Sequence, residues 1–447
     1  MPTASEPVPV RVLVVGGGAG GVIAAARLLR TATVDRPVEV RVVEAAGRVG
    51  PGLAYRTRHP LHTLNNYACR LSAHEDDPGD LVRWCRAHGV DAHEFSFLPR
   101  GVYGDYLSEV LDRVRVPAGS SVTRHLGRVV DVEPVPDAAY GEAPFLVSVD
   151  EEVSGRASYA ADRVVLALGN PPPRRLAHLE TLGERYVADP WAEDLVERVG
   201  PSDRVLLVGT GLTALDVTAQ LHAADPAVEI VAVSRHGLLP QPHRARPVPT
   251  GPWVPPSGGL ATVLGSTRAA VEAAGGEWRG VLDTLREHAN RVWRSLDADA
   301  QQRFVRHVAR HWEVRRHRSA PDLAARIDGL VAAGALRLAS PHEVEAASFD
   351  KVVNCTGPSP VHTPGWNPLV DRLLDRGLLR PHPLGLGLDV DDLGQPLGRD
   401  GRATPGLHVV GAARRGRDWE VQAIPDLRGQ AVALADTVLG AGATAAA

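Results

Sequence analysis

Lysine is almost missing from this sequence: Lys351 is the only one in 447 residues, and arginine carries nearly all of the basic charge. A Schiff-base mechanism is left with almost no nucleophile to use. Cysteine is scarce too. Cys69, Cys85 and Cys355 lie far apart and form neither a CxxC pair nor a metal-ligand cluster, which argues against disulfide exchange and against a bound metal. No apolar run approaches the roughly 20 residues that cross a bilayer, and the first nine residues lack the order of a signal peptide. These absences point to a cytoplasmic chain without a membrane partner. Basic residues are not in excess: the formal net charge of −4 gives no electrostatic footprint for nucleic acid.

What is present is an ordinary globular composition, 44% hydrophobic and 23% charged, long enough for two or three domains. Val12–Val15 is a continuous apolar run that breaks into glycines and then into Val22–Leu29 with helical spacing. A second β-type run, Val38–Val43, ends in Glu44, completing a βαβ unit. Gly50–Pro78 reads as a turn-rich excursion, followed by helical patterns at Leu81–Arg86 and Tyr103–Val114 and by short strands across Ser121–Val149. Val164–Leu168 is another buried strand. The opening arrangement then repeats: Val205–Val208, a glycine turn, a helix through Leu221 and the strand Glu229–Val233.

The spacing predicts an α/β fold of two dinucleotide-binding, Rossmann-like domains, with parallel sheets, helices, a small β-meander and a helical insertion. Residues 1–172 are assigned to the first part of the first domain. Residues 173–344 form the second, with the insertion at about 258–335 and Pro321 at a helix start. Residues 345–447 are read as returning to the first domain through strands Val352–Asn354 and Leu407–Val410 and an apolar helix from about Leu427; the tail after Gly440 is expected to fray.

Gly16, Gly18 and Gly21, with Gly20 between them, form G-x-G-x-x-G between a strand and a helix. They supply a tight turn, close approach of backbone to a pyrophosphate, and close helix–strand packing, with the anion on the helix N-terminus. Glu44 is placed to accept hydrogen bonds from an adenosine ribose and to repel a 2′-phosphate. The second turn, Gly209-Thr210-Gly211-Leu212-Thr213-Ala214, lacks the third glycine, and its following strand ends in Ser234-Arg235. An arginine there suits the 2′-phosphate of NADPH, although a solvated surface arginine would look the same. Asp216 reads as a cap or packing partner, and no catalytic residue is assigned. Two dinucleotide sites in one chain imply hydride transfer between cofactors, with a flavin on the first.

Other runs carry a likeness that spans nearly the whole chain. They are Gly52-Leu53-Ala54-Tyr55, His62-Thr63-Leu64-Asn65, Leu71-Ser72-Ala73, Pro99-Arg100, Leu168-Gly169-Asn170, Ser234-Arg235-His236-Gly237, Arg316-His317-Arg318 and Trp419-Glu420 with Ala423 and Pro425. In these the chain resembles the bacterial FAD/NAD(P)-binding monooxygenases that include FAD-dependent urate hydroxylase and nitrosuccinate-forming aspartate N-monooxygenase. Tyr67 stands where a smaller residue is expected, and Ala214 where a glycine is.

The resemblance implies FAD over the first sheet, near Leu64, Asn65 and Ser72, with Gly411, Trp419 and Ala423 on its far side and further contacts at Val130 and Gly169. NADPH on the second domain would reduce it. Molecular oxygen and a small molecule are the implied partners, and a homo-oligomer is left open. The substrate candidates are His62, Asn66, His243, Arg244, Arg316, His317 and Arg318, whose arginines would suit an anion such as an amino acid or urate; they equally fit a solvated helical face. The expected activity is hydroxylation of a small polar, nitrogen-containing metabolite through a C4a-hydroperoxyflavin. The alternatives are a flavin oxidoreductase that inserts no oxygen, and a flavin-binding redox-responsive module.

Overall fold

Continuous valine-rich runs bury both faces of a strand, and parallel sheets are built from such runs. The computed structural model describes residues 7–135, 144–151 and 155–440. Its strands, in chain order, are β1 Val10–Val15, β2 Val38–Glu44, β3 Ser121–Pro134, β4 Phe145–Glu151, β5 Gly155–Ala161 and β6 Arg163–Leu166. They continue with β7 Tyr186–Val187, β8 Arg204–Val208, β9 Glu229–Val233, β10 Leu336–Ala339, β11 Lys351–Asn354 and β12 Leu407–Val409. Among the described residues they make two sheets, ordered β12-β6-β1-β2-β3-β4-β5 and β10-β9-β8-β11-β7. The expected fraying after Gly440 falls outside the described residues. Among those residues, no helix is long and apolar enough to cross a membrane.

The first sheet is parallel from β12 to the start of β3 and antiparallel beyond it. One 14-residue strand, β3, does both jobs where the alternating pattern suggested several short strands. Its first half pairs parallel with β2, and its second half opens the expected meander with β4. The changeover carries a register shift between Val129 and Asp131, which leaves Val130 as the bulged residue. Helices Ala19–Thr31, Arg100–Arg113 and Ile424–Leu439 cover one face with a shared apolar core, and helix Pro368–Asp375 covers the other.

The second sheet corrects two sequence boundaries. Strand β11 does not return to the first sheet; it pairs in parallel with β8 and β7. Its Val352-Val353 pair is as apolar as β12, so local pattern alone could not say which sheet would receive it. Helix Pro321–Ala332 likewise leaves the insertion. It places Leu323, Ile327 and Leu330 in one core with Leu215, Val217 and Ile230, as the crossover from β9 to β10. The insertion proper is Leu260–Arg316, held by its own cluster around Trp293, Trp312 and Phe304.

Candidate active site between the two nucleotide units

At the first glycine turn the three glycines have different reasons to be glycine. Gly16 has φ +100°, and a Cβ there would sit 2.4 Å from the Ala167 carbonyl oxygen. A Cβ on Gly21 would lie 1.9 Å from the carbonyl oxygen of Gly16, so helix and strand could not close. Gly18 is different. Its backbone is extended (φ −71°, ψ −171°), and a Cβ would meet only Gly52 Cα at 3.4 Å, ordinary contact. Nothing in the fold itself requires glycine at this position. It heads helix Ala19–Thr31, has no side-chain cap, and leaves first-turn N–H groups available to an anion.

Glu44 is buried behind this turn. One carboxylate oxygen accepts the Gly17 N–H at 2.7 Å and the other accepts the Ala46 N–H at 2.8 Å. Each oxygen keeps a lone pair for a ribose hydroxyl. The second turn repeats the geometry: Gly209 has φ +125°, and its Cβ would fall 2.3 Å from the Cys355 carbonyl oxygen. Ala167 and Cys355 both follow buried strands, β6 and β11, so each strand-to-glycine crossing buttresses the turn beside it. The glycines that Ala167 and Cys355 press against are what give these crossings a role.

Gly211 heads helix Leu212–Ala224, with nothing within 4 Å of a Cβ placed there. Thr210 Oγ1 lies 2.7 Å from the Leu238 carbonyl and 2.8 Å from Ser234 Oγ, and Ser234 Oγ accepts the Gly237 N–H at 3.1 Å. Thr210 and Ser234 therefore shape the loop after β9. Arg235 extends from that loop into solvent and makes no ion pair among the described residues. Leu212 packs on the second core, while Thr213 faces the cleft.

A cavity of about 320 Å³ is lined by Gly18 and Gly20 of the first turn and, from the second unit, by Thr213 in the first turn of helix Leu212–Ala224. Gly169 and Gly411, at φ +70° and +88°, also line it; the Gly411 N–H is held by Gln430 Oε1 at 2.7 Å. Arg100 and Trp191 also face this space. Arg100 Nη2 donates to Asp216 Oδ2 at 2.6 Å, its Nε donates to the Thr63 carbonyl at 3.2 Å, and its guanidinium lies 5.5 Å from the Trp191 ring centroid. Asp216 is thus neither cap nor mere packing. It is a fully buried carboxylate of the second unit paired with a cation of the first. Burial pushes its carboxyl up to about 6, with Arg100 opposing. The signal was a single acid among the apolar residues of Leu212–Leu221.

The sequence-based cluster of cofactor and substrate contacts comes apart. Ser72 is fully buried, with Oγ accepting the His74 N–H at 3.1 Å and its carbonyl accepting from Arg428 at 3.0 Å, away from the cavity. Trp419 packs against Trp293 and Phe304 in the insertion, with ring centroids 5.1 and 4.8 Å apart. Ala423 begins helix Ile424–Leu439, its N–H bonded to Asp426 at 3.1 Å. Leu64 is buried and donates its N–H to Leu98 at 2.7 Å; Asn65 offers its carbonyl to His243 Nε2 at 3.0 Å; Asn66 Oδ1 accepts the Tyr67 N–H at 2.9 Å. Val130, the bulged residue, is buried in the first sheet.

The arginines do not form an anion pocket. Arg316 Nε donates to Glu420 at 2.9 Å, His317 pairs with Glu313 at 2.9 Å, and Arg318 donates to Asp283 at 2.7 Å. Arg244 turns outward to Glu277 at 3.1 Å, and its carbonyl accepts from the Tyr67 hydroxyl at 2.9 Å. Arg316 and Arg318 are also too buried to form a solvated face; three separate acids neutralise the run. The Tyr67 ring fills the space beside His243, 5.0 Å away between centroids.

His62 lies edge-on to Trp191 at 5.7 Å, with Nδ1 2.8 Å from Thr57 Oγ1. Burial pulls His62 down to about 4, His243 to about 3 and His408 to about 4. These rings stay neutral in the fold while an unfolded histidine protonates near 6.5. Their contribution to stability is therefore present above pH 6.5 and is lost as pH falls toward 4, by about 1.4 kcal/mol per pH unit for each fully titrating ring. Urea midpoints between pH 7 and pH 4.5 should fall accordingly, and His408→Leu should flatten the slope by about a third of its histidine part.

Residues 13–171 match the FAD-NAD(P)-binding family. Over 238 residues, 52% of this chain, the sequence is 26% identical to the monooxygenase ptmN of Penicillium ochrochloron. The chain matches only 36% of that protein's length. Ornithine hydroxylase of Pseudomonas aeruginosa superposes with a TM-score of 0.63 at 14% identity, covering 97% of this chain and 99% of that one. The ornithine N-hydroxylase of Kutzneria sp. 744, solved with reduced FAD, NADP+ and L-ornithine, gives 0.61 at 15% identity over 98% and 100%. The near full-length superpositions show that this chain has the α/β fold of those structures, and its residues 13–171 match the FAD-NAD(P)-binding family.

Proposed function

We propose that this protein is an FAD- and NADPH-dependent monooxygenase that N-hydroxylates a small amine-bearing metabolite. The observation that carries the reading is a cavity lined from both units, by Gly18 and Gly20 of the first glycine turn and by Thr213 of the helix that follows the second, which supports two cofactors meeting there. The residues present fit the first cofactor. Gly18 leaves the space a diphosphate needs, the helix behind it offers N–H groups, and Glu44 holds lone pairs for a ribose. Bound FAD would supply hydride acceptance from NADPH and the activation of oxygen. The protein's own work is positional. Arg100, fixed by Asp216, sets the approach of the two units, and Gln422 beside Asn170 at 3.4 Å narrows the cleft against water.

An amine is favoured over a purine anion because the arginines that would have clamped an anion are paired with Glu420, Asp283 and Glu277. Both structural relatives named above are ornithine hydroxylases, which supports the same choice. The cysteines do not offer disulfide chemistry, since burial raises all three thiols. The test is oxygen and NADPH consumption across α-amino acids and aliphatic diamines. One class is expected to stimulate both and to yield a hydroxylamine. Anaerobic turnover of an organic acceptor, with no substrate-stimulated oxygen uptake, would replace oxygen insertion with simple oxidoreduction.

The interdomain pair makes a further prediction. Asp216→Asn keeps the shape and removes the charge, and kcat/KM for NADPH should drop about tenfold with FAD content unchanged. The pH dependence has two opposite signs. Because burial raises Asp216 above an unfolded carboxyl, its stability contribution belongs to the protonated form and fades as pH rises through about 6. The charged contact with Arg100 exists only above that value. Wild-type kcat/KM should therefore rise through about pH 6, and the asparagine variant should lose that limb.

A further inference from the structure

Residues 419–422 form a strap with Gln422 in the lining of the first cavity and Trp419 in that of a second, which is larger and of different chemistry. It occupies about 520 Å³ inside the helical insertion, in the range of small-molecule pockets. Trp293, Trp312, Trp419 and Phe304 wall it, with leucines and valines filling the gaps. Three observations mark it as more than a packing fault. The indole N–H of Trp419 is buried and has no partner among the described residues, a state that leaves a donor's desolvation unrecovered. The wall includes a π-helical turn, Phe304–Val308, a feature concentrated at functional sites. The lining contains no acid but four basic residues, Arg268, His307, His311 and Arg315. Arg268 is exposed without an ion pair among the described residues, and Arg315 Nη1 donates only to the His311 carbonyl, at 3.2 Å.

We propose that this cavity is a second binding site, for an apolar carboxylic acid. Its chain or ring enters between the three tryptophans, and its carboxylate meets Arg268 and Arg315 at the mouth. The site reports to the cofactor cleft through the strap: Trp419 faces the apolar cavity and Gln422, three residues on, faces the cleft. An occupant pressing on Trp419 acts on the wall of the first site without entering it. Nothing in this depends on which amine is hydroxylated.

The test is calorimetric titration of the purified protein with decanoate, decanol and acetate. Decanoate should bind saturably at one per chain and quench indole fluorescence, decanol should bind about tenfold more weakly, and acetate should not bind. The surface double variant Arg268→Gln/Arg315→Gln should weaken decanoate about tenfold and leave decanol unchanged. Leu264→Trp, which fills the cavity, should abolish both. Absence of saturable decanoate binding overturns the site, and so does binding that survives both variants. Equal affinity for decanol and decanoate overturns the acidic class. None of these readouts involves oxygen uptake, so failure here is separable from failure of the hydroxylase reading.

Discussion

Gly18→Val gives a folded, colourless protein. The expectation rests on the contrast between two glycines three residues apart. A Cβ at Gly18 meets only Gly52 Cα, at 3.4 Å, from an extended backbone that any residue adopts, so the apo fold has room for a side chain. That room is the space a diphosphate would take above the helix N-terminus. Gly21→Ala puts a methyl 1.9 Å from a backbone oxygen that cannot move aside cheaply, and should cost about 3 kcal/mol or more of stability. The pair separates cradle from scaffold. Circular dichroism and thermal melting should be near wild type for Gly18→Val, with FAD content below about a tenth of wild type. For Gly21→Ala the melting temperature should drop steeply. A yellow, fully loaded Gly18→Val protein would remove FAD from this turn.

The glycine corners were legible because their geometry is local: a strand, a left-handed glycine and a helix start lie within about ten residues, and the requirement shows in composition. Allegiance over distance was not. β11 and β12 are equally apolar short strands; which of them meets β8 and which meets β6 depends on the folding of the chain between them, and hence Leu407, not Val352, opens the return. Helix Pro321–Ala332 shows an ordinary amphipathic face, and only the helix Leu212–Ala224 it packs on tells that it is a crossover and not part of the insertion. The arginines of 306–318 illustrate the same limit for charge. In sequence Arg316 and Arg318 are free cations; in the fold Glu420, far along the chain, and Asp283 neutralise them. Asp216 stood out as the single acid in Leu212–Leu221, but its partner did not, since nothing local marks Arg100 until the fold brings the two to 2.6 Å.

Arg235→Ala should raise KM for NADPH about 10- to 100-fold, the worth of a lost charge-assisted phosphate contact, while KM for NADH moves less than about twofold. The position follows from the second turn: Thr210 and Ser234 tie the loop after β9 to the glycine corner, and Arg235 stands exposed on that loop without an ion pair among the described residues. The end of β2 holds Glu44, which accepts two N–H bonds and would repel a 2′-phosphate. The two turns are thus charged oppositely at corresponding positions, and on this contrast we propose that the phosphorylated nucleotide binds at the second. Arg235→Lys should recover part of the loss, because an ammonium supplies charge without the bidentate fork. Arg235→Glu should go further than alanine and invert the preference toward NADH, by adding repulsion where attraction stood. Equal rises in both Michaelis constants across the series would make Arg235 a structural residue of the loop and move the phosphate contact elsewhere.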